Sequence, residues 1–203
     1  MPRRRSIKKS TALSYDVIGI GASWGGVEVL TTLISALPSD WKIPIVIVQH
    51  QHPNSGRALE RILGNVTSLV VLDVENNDKI QPGHVYIAPA NYHLLIEYDG
   101  ALSLSLEAPL NFSRPSIDVT FSCLAKVFQR RCMGVILTGA NDDGAQGIKE
   151  IKAEGGYVIA QSPESAESPI MPKAAIATGA VDAVLTPEAI VPHLLHLLHH
   201  GIK

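Results

Sequence analysis

The sequence predicts an α/β fold, a doubly wound and mostly parallel sheet with helices on both faces in a Rossmann-like three-layer arrangement. Short apolar runs, hydrophobic on both sides, recur along the chain as strands sandwiched between helices do. Helical patterns lie between these runs, and strand–helix–strand alternation closes into a parallel sheet with right-handed crossovers. One stretch, residues 83–106, breaks the alternation and predicts an antiparallel hairpin insertion near the middle of the sheet order.

The expected strands fall at residues 16–21 (DVIGIG), 43–49 (IPIVIVQ), 68–73 (SLVVLD), 134–138 (GVILT) and 157–160 (YVIA). After the first comes a helix with Leu30, Leu33, Ile34 and Leu37 on one face, ended by Pro38. Ile117, Phe121, Leu124, Ala125 and Phe128 mark a second helix before the fourth strand. The 83–106 stretch carries period-two segments and the turn pair Asp99-Gly100. A last helix is expected over residues 187–203, with Ile190, Leu194, Leu197 and Leu198 as its buried stripe.

Apolar residues make up 46% of the 203 and charged residues 18%, enough to bury a sizeable core and too apolar for disorder over most of the chain. The net charge of −2 hides an asymmetry. Arg3, Arg4, Arg5, Lys8 and Lys9 are five of the 17 basic residues, and residues 1–14 hold no acid. Residues 15–203 therefore carry 12 basic against 19 acidic groups, a balance of −7 that argues against nucleic acid as a partner. Residues 1–14 are expected to be a basic flexible tail and residues 15–203 a single domain. Two cysteines, Cys123 and Cys132, form no metal or disulfide pattern. No signal-peptide run and no stretch of ~18 apolar residues occurs, so the expectation is a cytoplasmic protein without membrane insertion.

In an open parallel sheet, ligands bind outside the carboxyl ends of the strands. The first strand delivers Gly21-Ala22-Ser23-Trp24-Gly25, a G-x-S-x-G turn entering a helix. Such a turn lifts a serine hydroxyl into the open beside unpaired helix-start N–H groups. The second strand delivers His50, and the fourth delivers Asp142 and Asp143 before Gly144. A serine, a histidine and an aspartate on one rim are what nucleophilic acyl chemistry needs. From the residues alone, either aspartate fits, and both also suit a helix N-cap. A nucleotide loop is the weaker reading of the glycines, because Gly19, Gly21 and Gly25 lack dinucleotide spacing and no acid closes the second strand. His50 and His52, or the tail residues His193, His196, His199 and His200, lack the Cys or carboxylate companions of a metal site. The tail histidines read as a solvated helix face, and Ser14, Ser55 and Ser116 as turn or cap serines.

GIGASWGG, IVQH, PGHVYIAPANYHL, SRPSIDVTF, GVILTGANDDGAQG, GGYVIAQ and MPKAAIATGAVDAVL together resemble the catalytic domain of the chemotaxis-type (CheB-like) protein-glutamate methylesterases, over about residues 15–190. The resemblance implies a cofactor-free and metal-free hydrolase releasing methanol from glutamyl methyl esters on the cytoplasmic domain of chemoreceptors or related signalling proteins, with deamidation of glutamines as a second activity. A methyltransferase or a separate regulator are the further partners it allows. Carried over, the family's nucleophile falls on Ser23, its histidine on His50 and its aspartate on Asp143. Backbone N–H groups of Trp24 and Ala140 are expected to form the oxyanion hole.

This sequence departs from the family pattern at three positions: Trp24 where a threonine is usual, Ala140 where a methionine is usual, and Asn141 in place of a glycine. The bulk of Trp24 is expected to narrow the cleft or add an apolar contact. With only about 14 residues before the first strand, regulation by a receiver domain in the same chain is expected to be absent. A non-catalytic adaptor with the same fold, binding a receptor or a methyltransferase, is the competing expectation.

Overall fold

The computed structural model describes residues 15–110 and 112–200. The predicted basic tail, Ser14 and the last three residues of the expected terminal helix lie outside the described residues. Among the described residues, seven parallel strands form one sheet: β1 (Val17–Ala22), β2 (Ile45–Gln49), β3 (Val70–Asp73), β4 (His84–Ile87), β7 (Cys132–Ile136), β8 (Tyr157–Gln161) and β9 (Ala183–Leu185). Their order is β3-β4-β2-β1-β7-β8-β9. A separate hairpin pairs β5 (His93–Ile96) with β6 (Leu102–Ser105), antiparallel.

Six α-helices accompany the strands among the described residues: α1 (Gly26–Ser35), α2 (Ala58–Gly64), α3 (Ile117–Phe128), α4 (Ala145–Ala153), α5 (Ile170–Ala177) and α6 (Pro187–His200). Strand side chains alternate between two cores. Ile18, Ile20, Ile45, Ile47, Met133 and Val135 pack with α1, α2 and α6 on one face. Val17, Val46, Val48 and Ile136 pack with α3, α4 and the hairpin on the other. The double-sided burial is why these strands read as unbroken apolar runs rather than as alternations.

The doubly wound class holds, but its middle differs from expectation. Residues 84–87 are not part of an antiparallel insertion; β4 runs parallel between β2 and β3. Its HVYI sequence alternates His and Tyr with apolar residues, which imitates a half-exposed hairpin strand. In the structure Tyr86 is buried, and its hydroxyl donates to the Lys79 carbonyl. Only residues 93–105 form the antiparallel pair. The short β9 closes the far edge; three residues, none of them buried, left no apolar run to detect.

The chain leaves β1 toward β2 on one side and returns to β7 on the other. The sheet therefore changes winding direction at β1, and the crevice at such a switch point is where α/β sheets bind ligands. Gly21 belongs to this packing. A Cβ there would lie 2.5 Å from Cγ2 of Ile117, so α3 can approach β1 only over a glycine.

Candidate active site

Ser23 follows β1, in a turn that Gly25 closes in the left-handed region at φ 76° before α1 begins. That conformation carries little cost only for glycine. The turn is held from two sides. Ser23 N–H donates to the Thr138 carbonyl at 2.9 Å. Gln49, buried at the end of β2, donates from Nε2 to the carbonyls of Ser23 and His50, both at 2.8 Å. One amide group thus fixes the backbone of two of the three expected site residues relative to one another.

Those side chains meet. His50 Nδ1 lies 3.2 Å from Ser23 Oγ, and His50 Nε2 lies 2.9 Å from Asp143 Oδ2. The imidazole is 16% exposed and the carboxylate fully buried, so the contact runs from a solvent-accessible ring to a sealed charge. Asp143, rather than Asp142, is the acid that reaches His50; Asp142 is exposed. Neither acid caps its own helix through its side chain, as one reading of the sequence allowed.

Asp143 sits instead at the start of α3. Its Oδ1 accepts from Ser116 Oγ at 2.9 Å and from Asp118 N–H at 3.0 Å, and its Oδ2 accepts from Ile117 N–H at 2.8 Å as well as facing His50. Burial alone pushes this carboxyl up. The His50 contact and the Asp118 and Ile117 amides outweigh it and hold the group below the usual carboxylate range. The exchange is reciprocal. Asp118 on α3 accepts at Oδ1 from Gly144 N–H and Gly147 N–H, at 2.9 and 2.7 Å, satisfying the orphan donors at the start of α4. Burial pushes Asp118 up to about 6, and the nearby Asp143 charge adds to that despite the amides.

Ser116 is the expected cap serine, accepting from Val119 N–H, and its hydroxyl also donates to Asp143. Ser55 bonds the His52 carbonyl in a turn. His52 takes no part in the His50 contacts; its Nδ1 accepts from Asn54 N–H. His193 is not simply solvated; it pairs with the Tyr157 hydroxyl at 2.9 Å, and burial lowers its pKa. Among the described residues no group of three or more His, Cys, Asp or Glu is placed to hold a metal. The side chains of His199 and His200 lie outside the described residues.

The Trp24 and Ala140 amides, expected as oxyanion donors, make no hydrogen bond to a protein acceptor among the described residues. His50 stands between two hollows. One of 260 Å³ is bounded by Gln51, Asn91, Phe112 and Arg114, and one of 200 Å³ by Val27, His52, Leu59 and Ile62. Gln49 and Asp118 lie within the IVQH and SRPSIDVTF stretches but were given no role there, and no stretch contained Glu167, whose carboxylate accepts from Trp24 Nε1 at 2.7 Å. A glutamine closing an apolar strand and an acid in the first turn of a helix were their only signals.

A doubly wound sheet with a hydroxyl, an imidazole and a buried carboxylate aligned at its switch point defines a class of α/β proteins equipped for acyl chemistry. The family profile described as CheB methylesterase matches residues 18–194, and the chain belongs to that family. The crystal structure of the Thermotoga maritima CheB methylesterase catalytic domain superposes with a TM-score of 0.87 at 35% identity, covering 91% of this chain and 99% of that one. A Leptospira interrogans protein, provisionally named a protein-glutamate methylesterase/protein-glutamine glutaminase, is 45% identical over 94% of this chain and 99% of its own length. A Syntrophus aciditrophicus protein-glutamate methylesterase/protein-glutamine glutaminase is 35% identical over 96% of this chain but only 57% of its own length. Among the described residues no helix is long and apolar enough to cross a membrane.

Proposed function

We propose that this protein is a cytoplasmic serine esterase that hydrolyses glutamyl methyl esters on a chemoreceptor or a related signalling protein, releasing methanol, and that it also deamidates glutamines at the same site. The observation that carries the reading is the unbroken contact chain Ser23–His50–Asp143. Asp143, an acceptor held by three other donors, fixes the proton on Nε2 and leaves the Nδ1 lone pair facing Ser23. The ring nitrogens are used in the opposite order to the chymotrypsin arrangement, where Nε2 faces the serine. The roles are the same.

Ser23 Oγ attacks the ester carbonyl while its proton passes to His50 Nδ1. The developing oxyanion is directed to the N–H groups of Trp24 and Ala140. When the tetrahedral intermediate collapses, the proton on Nδ1 goes to the departing methoxy oxygen, and methanol leaves. Water then adds to the acyl-enzyme, giving its proton to Nδ1, which returns it to Ser23 Oγ as the glutamate is freed. With a glutamine substrate the same steps release ammonia. The 3.2 Å serine–histidine contact is at the loose end of hydrogen-bond reach, as is common before substrate binds.

The test is methanol release from methylated receptor membranes, with Ser23→Ala as the control. Wild-type turnover abolished by that substitution, together with labelling of Ser23 by a serine-directed phosphonate, is the expected result. Turnover that survives the substitution removes Ser23 as nucleophile. A wild-type protein that neither turns over nor labels would be a binding adaptor instead.

A further inference from the structure

Trp24 is an exposed aromatic in an unusual place. Its side chain follows the Ser23 position directly, is 65% exposed and contributes to neither apolar core. The other tryptophan, Trp41, is 4% exposed and spends its indole N–H on the Ile43 carbonyl. An exposed tryptophan held only by the hydrophobic effect would have no fixed orientation. Trp24 does have one, because Nε1 donates to Glu167 Oε1 at 2.7 Å, the short length of a charge-assisted bond.

Glu167 is itself held in place. It lies in the segment between β8 and α5, and the next residue, Ser168, donates its N–H to Thr138 Oγ1 at 2.9 Å. Thr138 Oγ1 in turn donates to the Trp24 carbonyl at 2.9 Å. The indole and the backbone of Trp24 are therefore fastened to the same segment. A Cβ on Gly25 would lie 2.5 Å from Glu167 Oε2, so the carboxylate lies directly over the turn that presents Ser23.

The direction matters for the chemistry. His50 follows β2, on one side of β1; β7 and β8 lie on the other, and Glu167 follows β8. The indole thus reaches away from His50. In the ester reaction the leaving methoxy oxygen must receive its proton from His50, so it lies on the β2 side of Ser23. Of the acyl carbon's two other substituents, the oxyanion is directed to the Trp24 and Ala140 N–H groups, and the methylene chain of the glutamyl group points away from the leaving oxygen, toward the side where the Trp24 indole stands.

On the esterase reading above, we infer that the Trp24 indole is the apolar wall against which the methylene chain of a glutamyl methyl ester lies, and that Glu167 is the positioning residue that holds this wall at the angle the chain requires. The wall suits a neutral aliphatic ester. The adjacent Glu167 carboxylate opposes the glutamate anion formed by hydrolysis, which favours release of the product.

The test uses the full chain and a helical peptide carrying one γ-methyl glutamate, with kcat and KM for methanol release measured beside thermal midpoints. Trp24→Ala is expected to raise KM roughly 3- to 10-fold, the range of one aromatic contact, with the melting midpoint little changed, since the side chain is exposed. Glu167→Ala should raise KM in the same direction. Glu167→Gln, whose amide oxygen still accepts from the indole, should restore it. In a Trp24→Phe background, which has no indole N–H, Glu167→Ala should have no further effect. An unchanged KM in Trp24→Ala, or an equal cost of Glu167→Ala with Phe at position 24, overturns the inference while leaving the esterase reading intact. Absence of wild-type turnover and of Ser23 labelling overturns both, and is distinguished by failing before any Trp24 variant is made.

Discussion

Replacing Asp143 by asparagine keeps the shape of the side chain and changes only what it can accept. The carboxylate meets four donors: Ser116 Oγ and Asp118 N–H on one oxygen, Ile117 N–H and the His50 ring on the other. An asparagine can keep its carbonyl oxygen toward the first pair. Its NH₂ group then faces Ile117 N–H, a donor against a donor in a fully buried place. One unsatisfied buried N–H costs about 1–3 kcal/mol, so the variant should fold but unfold at lower urea. The same NH₂ group would donate to His50 Nε2 and force the ring proton onto Nδ1, where it faces Ser23 and cannot accept. On the proposed mechanism the rate of methanol release should fall by roughly 10⁴, the size of loss measured for a tautomer inverted in this way in a serine protease. Steady-state methanol release and the rate of phosphonate labelling, both read below the unfolding midpoint, check it. A variant that is folded and retains kcat/KM within tenfold of wild type would show that Asp143 does not set the tautomer, and the relay would have to be abandoned.

Asp118→Asn should instead stabilise the protein at neutral pH. The Gly144 and Gly147 amides sit on one oxygen of Asp118, so an asparagine carbonyl can accept them both, while the third amide that favours the carboxylate, that of Gln146, loses part of its interaction. Burial raises the carboxyl to about 6, so between pH ~4 and that value the native state binds more protons than the unfolded chain, and wild-type stability falls as pH rises. Keeping the carboxylate charged in that buried place at neutral pH costs about 3 kcal/mol, and the weaker acceptance by a neutral carbonyl reduces the gain from asparagine to about 1–2 kcal/mol. Urea titrations at pH 4 and pH 8 should show the gain only at pH 8; an equal gain at both removes burial of the charge as the cause. Gly21→Ala puts a methyl 2.5 Å from Ile117 Cγ2 and must push back the start of α3, which carries the Asp143 contacts. It should cost about 1–3 kcal/mol and lower turnover at temperatures where the fold survives, and unchanged activity would show that the α3 position is not critical.

Much of the fold was legible because a two-sided buried sheet leaves its signature in single strands. β1, β2, β7 and β8 are buried on both faces and could hardly be read otherwise. β4 was legible as a strand but not as a parallel one. Its partners, β2 and β3, are fixed by a crossover through residues 74–83 that carries no periodicity of its own. The positions of Ser23 and His50 on one rim followed from strand ends alone. The choice between Asp142 and Asp143 did not, since adjacent acids in a loop differ only in which way the backbone turns them. Gln49 and Glu167 were illegible for another reason: each acts on a segment 26 or 143 residues away, and no local pattern encodes that.

The reciprocal capping of α3 and α4 explains why the candidate site needs so little besides. Asp143, from the segment before α4, satisfies the start of α3, and Asp118, from α3, satisfies the start of α4. Each carboxylate completes a helix end that would otherwise bury unpaired N–H groups, so both are fixed by the folding of the helices, whatever His50 does. Gln49 fixes the backbones of Ser23 and His50 in the same unconditional way. What remains adjustable is the imidazole and the serine hydroxyl, joined at 3.2 Å. Substrate therefore has one contact to tighten, and the binding energy it brings is not dispersed over the reorganisation of a loop.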